Sequence, residues 1–388
     1  MVADVEPFHA IALSRLAHEL KTKGMDVIHM EFGQPSTGAP KAAIAAAHEV
    51  LDREAMGYWE SDALKQRIAR HYAEVYGVEV NFEQVILTCG ASPALVLALN
   101  TALPVGARVA CARPGYVAYR NNLKALHMIP VEIGCGPAER YQLSASAIAA
   151  IEPAPDAIIL ASPGNPTGTI VEAAEMAAIA ALCAERNIMI ISDEIYHGLS
   201  YVEPAHSMLE FAPNTFVINS FSKYFSMAGW RLGWIIVPPS YIVPARARMS
   251  NLFLTPPVLS QHAALAAFEC SDELDGHLDH YRQNRALLLD ALPKLGLNRI
   301  APPDGAFYIY ADIGHLSQDS LAFCEKLLRE TGIAVAPGLD FDPVEGHHFI
   351  RFSFAVSTEL VKKAIARLME WFPKQKALHQ GAANDPIG

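Results

Sequence analysis

FVINSFSKYFSMAGWRLGWIIV, residues 216–237, holds two short β-branched apolar runs, FVIN (216–219) and LGWIIV (232–237), around a polar segment carrying Lys223. A continuous apolar run of this length, bounded by turn formers, predicts a strand buried on both faces. Working outward, the same signal recurs at VILT (85–88), RVACA (108–112), AIILA (157–161) and IMIIS (188–192). Helical patterns fall between several of these runs, at 93–103 and 171–186. Buried strands alternating with amphipathic helices predict an α/β doubly wound domain with a mostly parallel sheet.

Two helices are expected ahead of this core, at 39–52 and 62–76, and a helical stretch after it, at 260–295. AFYIYADI (306–313) and HFIRFSFA (348–355) then read as strands, with helices at 318–331 and 358–371. Residues 41–275 are therefore expected to form the large domain. Residues 1–40 and 276–388 are expected to form a smaller, discontinuous α+β domain.

The 388 residues are 52% hydrophobic and only 18% charged, which excludes disorder over most of the length. Thirty Lys and Arg against 41 Asp and Glu give a net charge of −11, with no basic run of the kind that binds nucleic acid. No apolar run reaches the roughly 18 residues of a membrane span. Residues 1–10 lack the apolar stretch of a signal peptide, and 374–388 read as a frayed polar end. The six cysteines contain no Cys-x-x-Cys pair, and four (Cys89, Cys111, Cys183, Cys324) lie in or beside apolar runs. A reduced, cytoplasmic protein is expected.

Four segments carry candidate chemistry, each at an expected strand end, where ligands bind in open α/β sheets. SFSKYFSMAGWRLGW (220–234) offers Lys223, with Ser220, Ser222 and Arg231 suited to a phosphate. A buried lysine can lose its proton and attack a carbonyl, although a single loop lysine is ordinarily just solvated. ASPGNPTGT (161–169) is a rigid turn presenting the Asn165 amide. SDEIYHG (192–198) places Asp193 at the strand edge, with Tyr196 three residues on; alone, Asp193 reads equally well as a helix N-cap. TCGASPAL (88–95) is a strand, a turn and a helix start whose Gly90, Ala91 and Ser92 amides could bind phosphate. The force of these segments lies in their occurring together in a single sheet.

Together the motifs S-P-x-N-P-T-G, [SD]-D-E-x-Y and S-x-S-K-x-x-x-x-x-G-x-R-x-G, in this order, resemble the fold-type-I pyridoxal-phosphate enzymes, specifically the class I/II aminotransferases. The resemblance runs from about Gly33 to Arg351. It implies pyridoxal 5′-phosphate as cofactor, L-amino acids and 2-oxo acids as substrates in a ping-pong reaction, and a homodimer. Lys223 resembles the lysine that forms a Schiff base with the cofactor and moves the proton. Asp193 resembles the aspartate that keeps the ring nitrogen protonated, so that the cofactor serves as an electron sink. Asn165 and Tyr196 resemble the pair that hydrogen-bonds the ring O3′. Arg231, Ser220, Ser222 and the Gly90–Ala91–Ser92 turn resemble the phosphate cup. Tyr116, in RPGYVAY, resembles the aromatic residue stacked on the ring. Arg351, in FIRFSFA, resembles the arginine that clamps the substrate α-carboxylate, and Gly33, in EFGQP, the residue lying over it. Tyr58 is similar to the tyrosine that reaches the neighbouring subunit's phosphate.

Two departures stand out. In YWESDALKQRIA (58–69) the family's glycine is missing and the link to the helix is about three residues shorter. Ser92 stands where some aspartate aminotransferases carry a lysine for the distal carboxylate. With Tyr58, Trp59, Tyr116 and Tyr119 expected near the mouth, an uncharged or aromatic donor fits as well. A β-eliminating C–S lyase of the same fold would use the same Lys, Asp and Arg. An effector-binding module fused to a DNA-binding helix-turn-helix would need more than the roughly thirty residues that precede Gly33. No metal is expected: His347 and His348 are adjacent, and neighbours on a strand face opposite ways. Cys89 is expected to be inert packing.

Overall fold

The strongest helix of the N-terminal third forms where its signals are complete. Ser61 caps Asp62–Tyr76 by accepting from the Leu64 N–H at 3.1 Å, and Gly77, at φ 66°, ends it in the left-handed conformation that favours glycine. The computed structural model describes residues 5–383, and side chains as far as Gln375. Its strands are β1 (Ile28–Met30), β2 (Val85–Thr88), β3 (Arg108–Arg113), β4 (Ile129–Gly134), β5 (Ala157–Ala161), β6 (Met189–Asp193), β7 (Phe216–Ser220), β8 (Gly233–Ile236), β9 (Tyr308–Asp312), β10 (Ile333–Pro337) and β11 (Phe349–Ser353).

Seven strands form one sheet in the order β2-β8-β7-β6-β5-β3-β4. Only β8 runs against the others, pairing antiparallel with both β2 and β7. The carboxyl ends of six strands therefore share one edge, and β8 begins at that same edge. Strands β7 and β8, and the covered edge strand β2, are buried along their whole length, which is why they read as unbroken apolar runs. The edge strand β4, IPVEIG, is only partly buried and carries Pro130, so it gave no such signal.

A second sheet has the order β1-β10-β11-β9. Here β1, from the start of the chain, pairs parallel with β10, from its end. Helix Ser320–Thr331 packs on this sheet, capped by Asp319 and ended by Gly332 at φ 73°. One core cluster holds Ile28 and Met30 together with Phe307, Ile333, Phe352 and Phe372, so both ends of the chain share an interior.

Three expectations are corrected. The stretch 260–295 is two helices, Val258–Ala267 and Ser271–Leu295; between them Phe268 turns onto Phe221 and Phe225, with ring centroids 5.5 and 5.0 Å apart. The tail is not frayed from residue 374. Helix Thr358–Ala383 continues through Pro373, and Gln375 is buried, accepting from Lys326 Nζ at 2.7 Å. Residues 384–388 and 1–4 lie outside the described residues. His347 and His348 belong to a 3-10 turn rather than a strand, and their rings sit 3.9 Å apart instead of on opposite faces. Among the described residues no helix is long and apolar enough to cross a membrane.

Candidate active site

A cavity of about 460 Å³ opens where the carboxyl edge of the large sheet meets the small one. Gly33, Ala91, Ser92, Tyr116, Asn165, Asp193, Tyr196, Ser222, Lys223, Arg231 and Arg351 all line it. Residues up to 318 positions apart in the chain are thus brought together: most end, follow or shortly precede a strand at the shared edge, while Gly33 and Arg351 come from the small sheet.

Lys223 lies three residues beyond β7. Its Nζ donates to the Gly33 carbonyl at 2.5 Å and sits 5.7 Å from the Tyr196 ring centre. Burial, helped by the positive charge of Arg351, brings its ammonium down to about 8, with Asp193 pulling the other way. A lysine so placed is more readily neutral, the form that attacks a carbonyl.

Asp193 ends β6 and is buried. Oδ2 accepts from the Tyr119 hydroxyl at 2.7 Å, and Oδ1 from the Ile195 N–H at 3.2 Å. Burial raises its pKa, while both hydrogen bonds and the charge of Lys223 oppose that rise. The Ile195 bond is the one an N-cap would make, but no helix follows, so the carboxylate remains directed at the cavity.

Arg351 lies in the middle of β11 and is 2% exposed. Nη1 donates to Asn165 Oδ1 at 2.7 Å and Nη2 to the Glu31 carbonyl at 2.5 Å, while buried Nε has no partner. The guanidinium is sandwiched between the rings of Tyr308 and Phe341, at 4.3 and 4.6 Å. A buried, oriented guanidinium with a spare N–H suits a carboxylate.

At the other end, helix Ala91–Ala102 begins without a side-chain cap, so its first amides are free for an anion. Arg231 lies two residues before β8, whose reversed direction delivers it to the same edge. It donates to the Ala228 carbonyl at 2.9 Å and the Cys89 carbonyl at 3.2 Å. Gly90, at φ 103°, is pressed against it: a Cβ there would meet Arg231 Nη2 at 2.6 Å. Ser220 does not line the cavity. Its Oγ accepts from the Ser222 N–H at 3.1 Å and so shapes the turn. Tyr58 is 84% exposed and stands outside the cavity of its own chain. Cys89 is half-buried, with its thiol pushed up by burial.

Two residues at the site carried no role in the sequence reading. Tyr119, named there only as an aromatic near the mouth, is the buried partner of Asp193; its spacing of three from Tyr116 puts both on one side of a helical turn, a signal that was available. Tyr308 shares a hydrogen bond of 2.7 Å with Tyr196 and touches Arg351. Nothing local in AFYIYADI distinguishes it from core, since its role depends on how the two sheets meet.

The arrangement fits pyridoxal phosphate: a lysine inclined to neutrality, a buried carboxylate, uncapped helix amides beside an arginine, and a partly unpaired guanidinium. The comparisons agree. The family model "Aminotransferase class I and II" matches residues 25–368. A valine–pyruvate aminotransferase of Mycobacterium tuberculosis is 43% identical over 96% of this chain and 98% of its own. A (5-formylfuran-3-yl)methyl phosphate transaminase of Methanocaldococcus jannaschii is 32% identical over 95% of this chain and 98% of its own. The crystal structure of an aminotransferase from Mycobacterium tuberculosis superposes with a TM-score of 0.93 at 43% identity, covering 95% of this chain and 97% of that one. These names favour amino transfer over β-elimination. The chain belongs to the class I and II aminotransferases, pyridoxal-phosphate enzymes that act on amino acids and 2-oxo acids.

Proposed function

We propose that the residues of this one cavity divide the work of amino transfer. Lys223 holds the cofactor through Nζ and moves the proton at the substrate Cα; its lowered ammonium pKa, to about 8, and its place beside Gly33 support this. Asp193 faces the ring nitrogen and holds its proton, with Tyr119 fixing the carboxylate. Asn165 and Tyr196 address the ring oxygen, and Tyr116 its face. The Gly90–Ala91–Ser92 amides, Ser222 and Arg231 hold the phosphate, with Ser220 shaping their turn. Arg351 clamps the α-carboxylate, and Gly33 leaves room above it. When bound, pyridoxal phosphate supplies a conjugated sink for the electrons released at Cα.

The observation that carries this assignment is the convergence of Lys223, Asp193 and Arg351 on one cavity from two different sheets. Borohydride reduction of the loaded protein followed by peptide mapping tests it. The cofactor should be found on Lys223, and Lys223→Ala should abolish turnover. Label on another lysine, or normal turnover by the variant, would refute it.

We also infer a homodimer in the cytoplasm. Exposed Met56, Tyr58, Leu252 and Leu254 support an interface that would carry Tyr58 to the phosphate of a second copy. Six free thiols support a reducing compartment. The two sheets support a large domain over 41–275 and a small one over 1–40 and 276–388, with the second boundary falling inside the continuous helix Ser271–Leu295.

A further inference from the structure

The cavity holds few charges, and each has a task. Its cationic lining residues are Lys223, Arg231 and Arg351, and its one acid is Asp193. Lys223 is engaged with Gly33, Arg231 with the turn at Cys89 and Gly90, and Arg351 with Asn165 and Glu31. The remaining wall is apolar (Phe8, Phe32, Leu95, Ile195) or neutral (Gln34, Asn122). Once Arg351 holds an α-carboxylate, a second carboxylate on the substrate meets no cation of this chain. Burying a carboxylate without a partner is strongly unfavourable.

A second copy does not supply the missing charge through the exposed apolar segments beside the site. These are residues 54–62 and 251–262, and neither contains a Lys or Arg. They are stitched together: Ser61 N–H donates to Gln261 Oε1 at 2.9 Å, Gln261 Nε2 donates to the Trp59 carbonyl at 3.0 Å, and Trp59 stacks on His262 at 4.7 Å. Ser260 Oγ donates to the carbonyl of Trp230, the neighbour of Arg231, at 2.6 Å, which places the pair at the phosphate end. The neighbouring Lys65 is already engaged, with Glu60 at 3.4 Å and Asp62 at 2.7 Å, so the segment offers a dicarboxylate no free cation.

We propose that both substrates of this enzyme are monocarboxylates with uncharged, apolar side chains: an L-amino acid with an apolar side chain as donor and a 2-oxo acid lacking a second carboxylate as acceptor. The inference rests on the amino-transfer reading of the cavity. It extends to the acceptor because both half-reactions use the same wall. In the donor half the Cα–N bond is replaced by C=O and the substrate loses two electrons; in the acceptor half C=O is replaced by C–N and the substrate gains two. No outside oxidant or reductant is needed.

The test uses the pyridoxal-phosphate-loaded protein. Each of L-alanine, L-valine, L-leucine, L-aspartate, L-glutamate and L-lysine is added alone, and conversion of the cofactor to its amino form is followed by absorbance. The amino form is then reacted with pyruvate, 2-oxoisovalerate, 2-oxoglutarate or oxaloacetate. In both halves the best apolar monocarboxylate should exceed every dicarboxylate, and L-lysine among the donors, by more than about tenfold in kcat/KM. A dicarboxylate or L-lysine within that factor, in either half, overturns the proposal. Conversion by no donor of any class would instead overturn the amino-transfer reading, and this inference with it.

Discussion

Tyr119 donates its hydroxyl hydrogen to Asp193 Oδ2 at 2.7 Å, and both groups are buried. The bond opposes the rise that burial imposes on the Asp193 pKa. Tyr119→Phe removes that opposition, so the carboxylate should take up a proton at higher pH. Turnover should fall by about tenfold, the scale of one hydrogen bond to a charged group. The acidic limb of the pH–rate profile should also move to higher pH. A loss of rate with an unmoved profile would mean that Tyr119 serves packing alone.

Arg351 is expected to act on every substrate alike, because all carry an α-carboxylate. Arg351→Lys keeps the charge and loses the flat, two-pronged donor held between Tyr308 and Phe341. KM should rise for donors and acceptors together, by about ten- to a hundredfold. A loss confined to one substrate would place Arg351 at the side-chain pocket instead.

Gly33 has no room for a side chain. A Cβ there would fall 1.6 Å from the Tyr308 hydroxyl oxygen. Gly33→Ala should displace Tyr308, and with it the hydrogen bond to Tyr196 and the ring face beneath Arg351. Substrate affinity should drop in parallel with Arg351→Lys, and because Tyr308 is fully buried the thermal midpoint should fall as well. The ring carbon Cζ would also lie 2.5 Å from that Cβ, so Tyr308→Phe in the same background relieves only the nearest contact and should restore little of the lost affinity. Substrate affinity unchanged by Gly33→Ala would show that the site tolerates the added methyl and that Gly33 does not hold Tyr308 in place.

The chain order of the site was legible because its residues follow strands buried on both faces, which announce themselves as apolar runs: 157–161 before Asn165, 189–193 ending in Asp193, 216–220 before Lys223. The elements that escaped are those whose signal is weak. β4 is an exposed edge, β1 has three residues, and β10 closes on Pro337. Partnerships across sheets escaped for a different reason. Tyr308 against Arg351, and Asn165 against Arg351, join residues whose approach depends on how two sheets meet, and no local pattern encodes that.

Glu194, beside Asp193, offers a test through stability. It is buried, and Oε1 accepts from Ser192, Ser207 and the Met208 N–H. Oε2 has no hydrogen-bond partner and lies 3.6 Å from His197 Nδ1. Burial pushes Glu194 up from 4.5 to about 8 and His197 down from 6.5 to about 3. For Glu194 the folded state binds the extra proton, so its contribution is present below pH 4.5 and is lost as pH rises through about 8. For His197 the unfolded state binds it, so stability is lost as pH falls from 6.5 towards about 3. Glu194→Gln should flatten the decline on the alkaline side and leave the acid-side decline in place. Thermal midpoints measured across this range check it, and an unchanged alkaline decline would place the titrating group elsewhere.

The shared-site dimer predicts complementation between an inactive chain and a weakened one. Tyr58 is 84% exposed and cannot serve the phosphate end of its own cavity from that position. If it serves a second copy, each site takes Lys223 and Arg231 from one chain and Tyr58 from the other. A Lys223→Ala chain has no working lysine, but it still offers Tyr58. A Tyr58→Ala chain keeps its lysine and arginine, but weakens the site opposite. In a mixed dimer, the site built on the Tyr58→Ala chain receives Tyr58 from the Lys223→Ala chain and is complete. The site built on the Lys223→Ala chain is dead. Mixing the two variants should therefore give more activity than the sum of the two alone, approaching half the wild-type value for each mixed dimer formed. The increase should depend on subunit exchange, followed by differently tagged chains. Exchange without a gain, or a monomer by light scattering at working concentration, would leave Tyr58 as a surface residue and each site the product of a single chain.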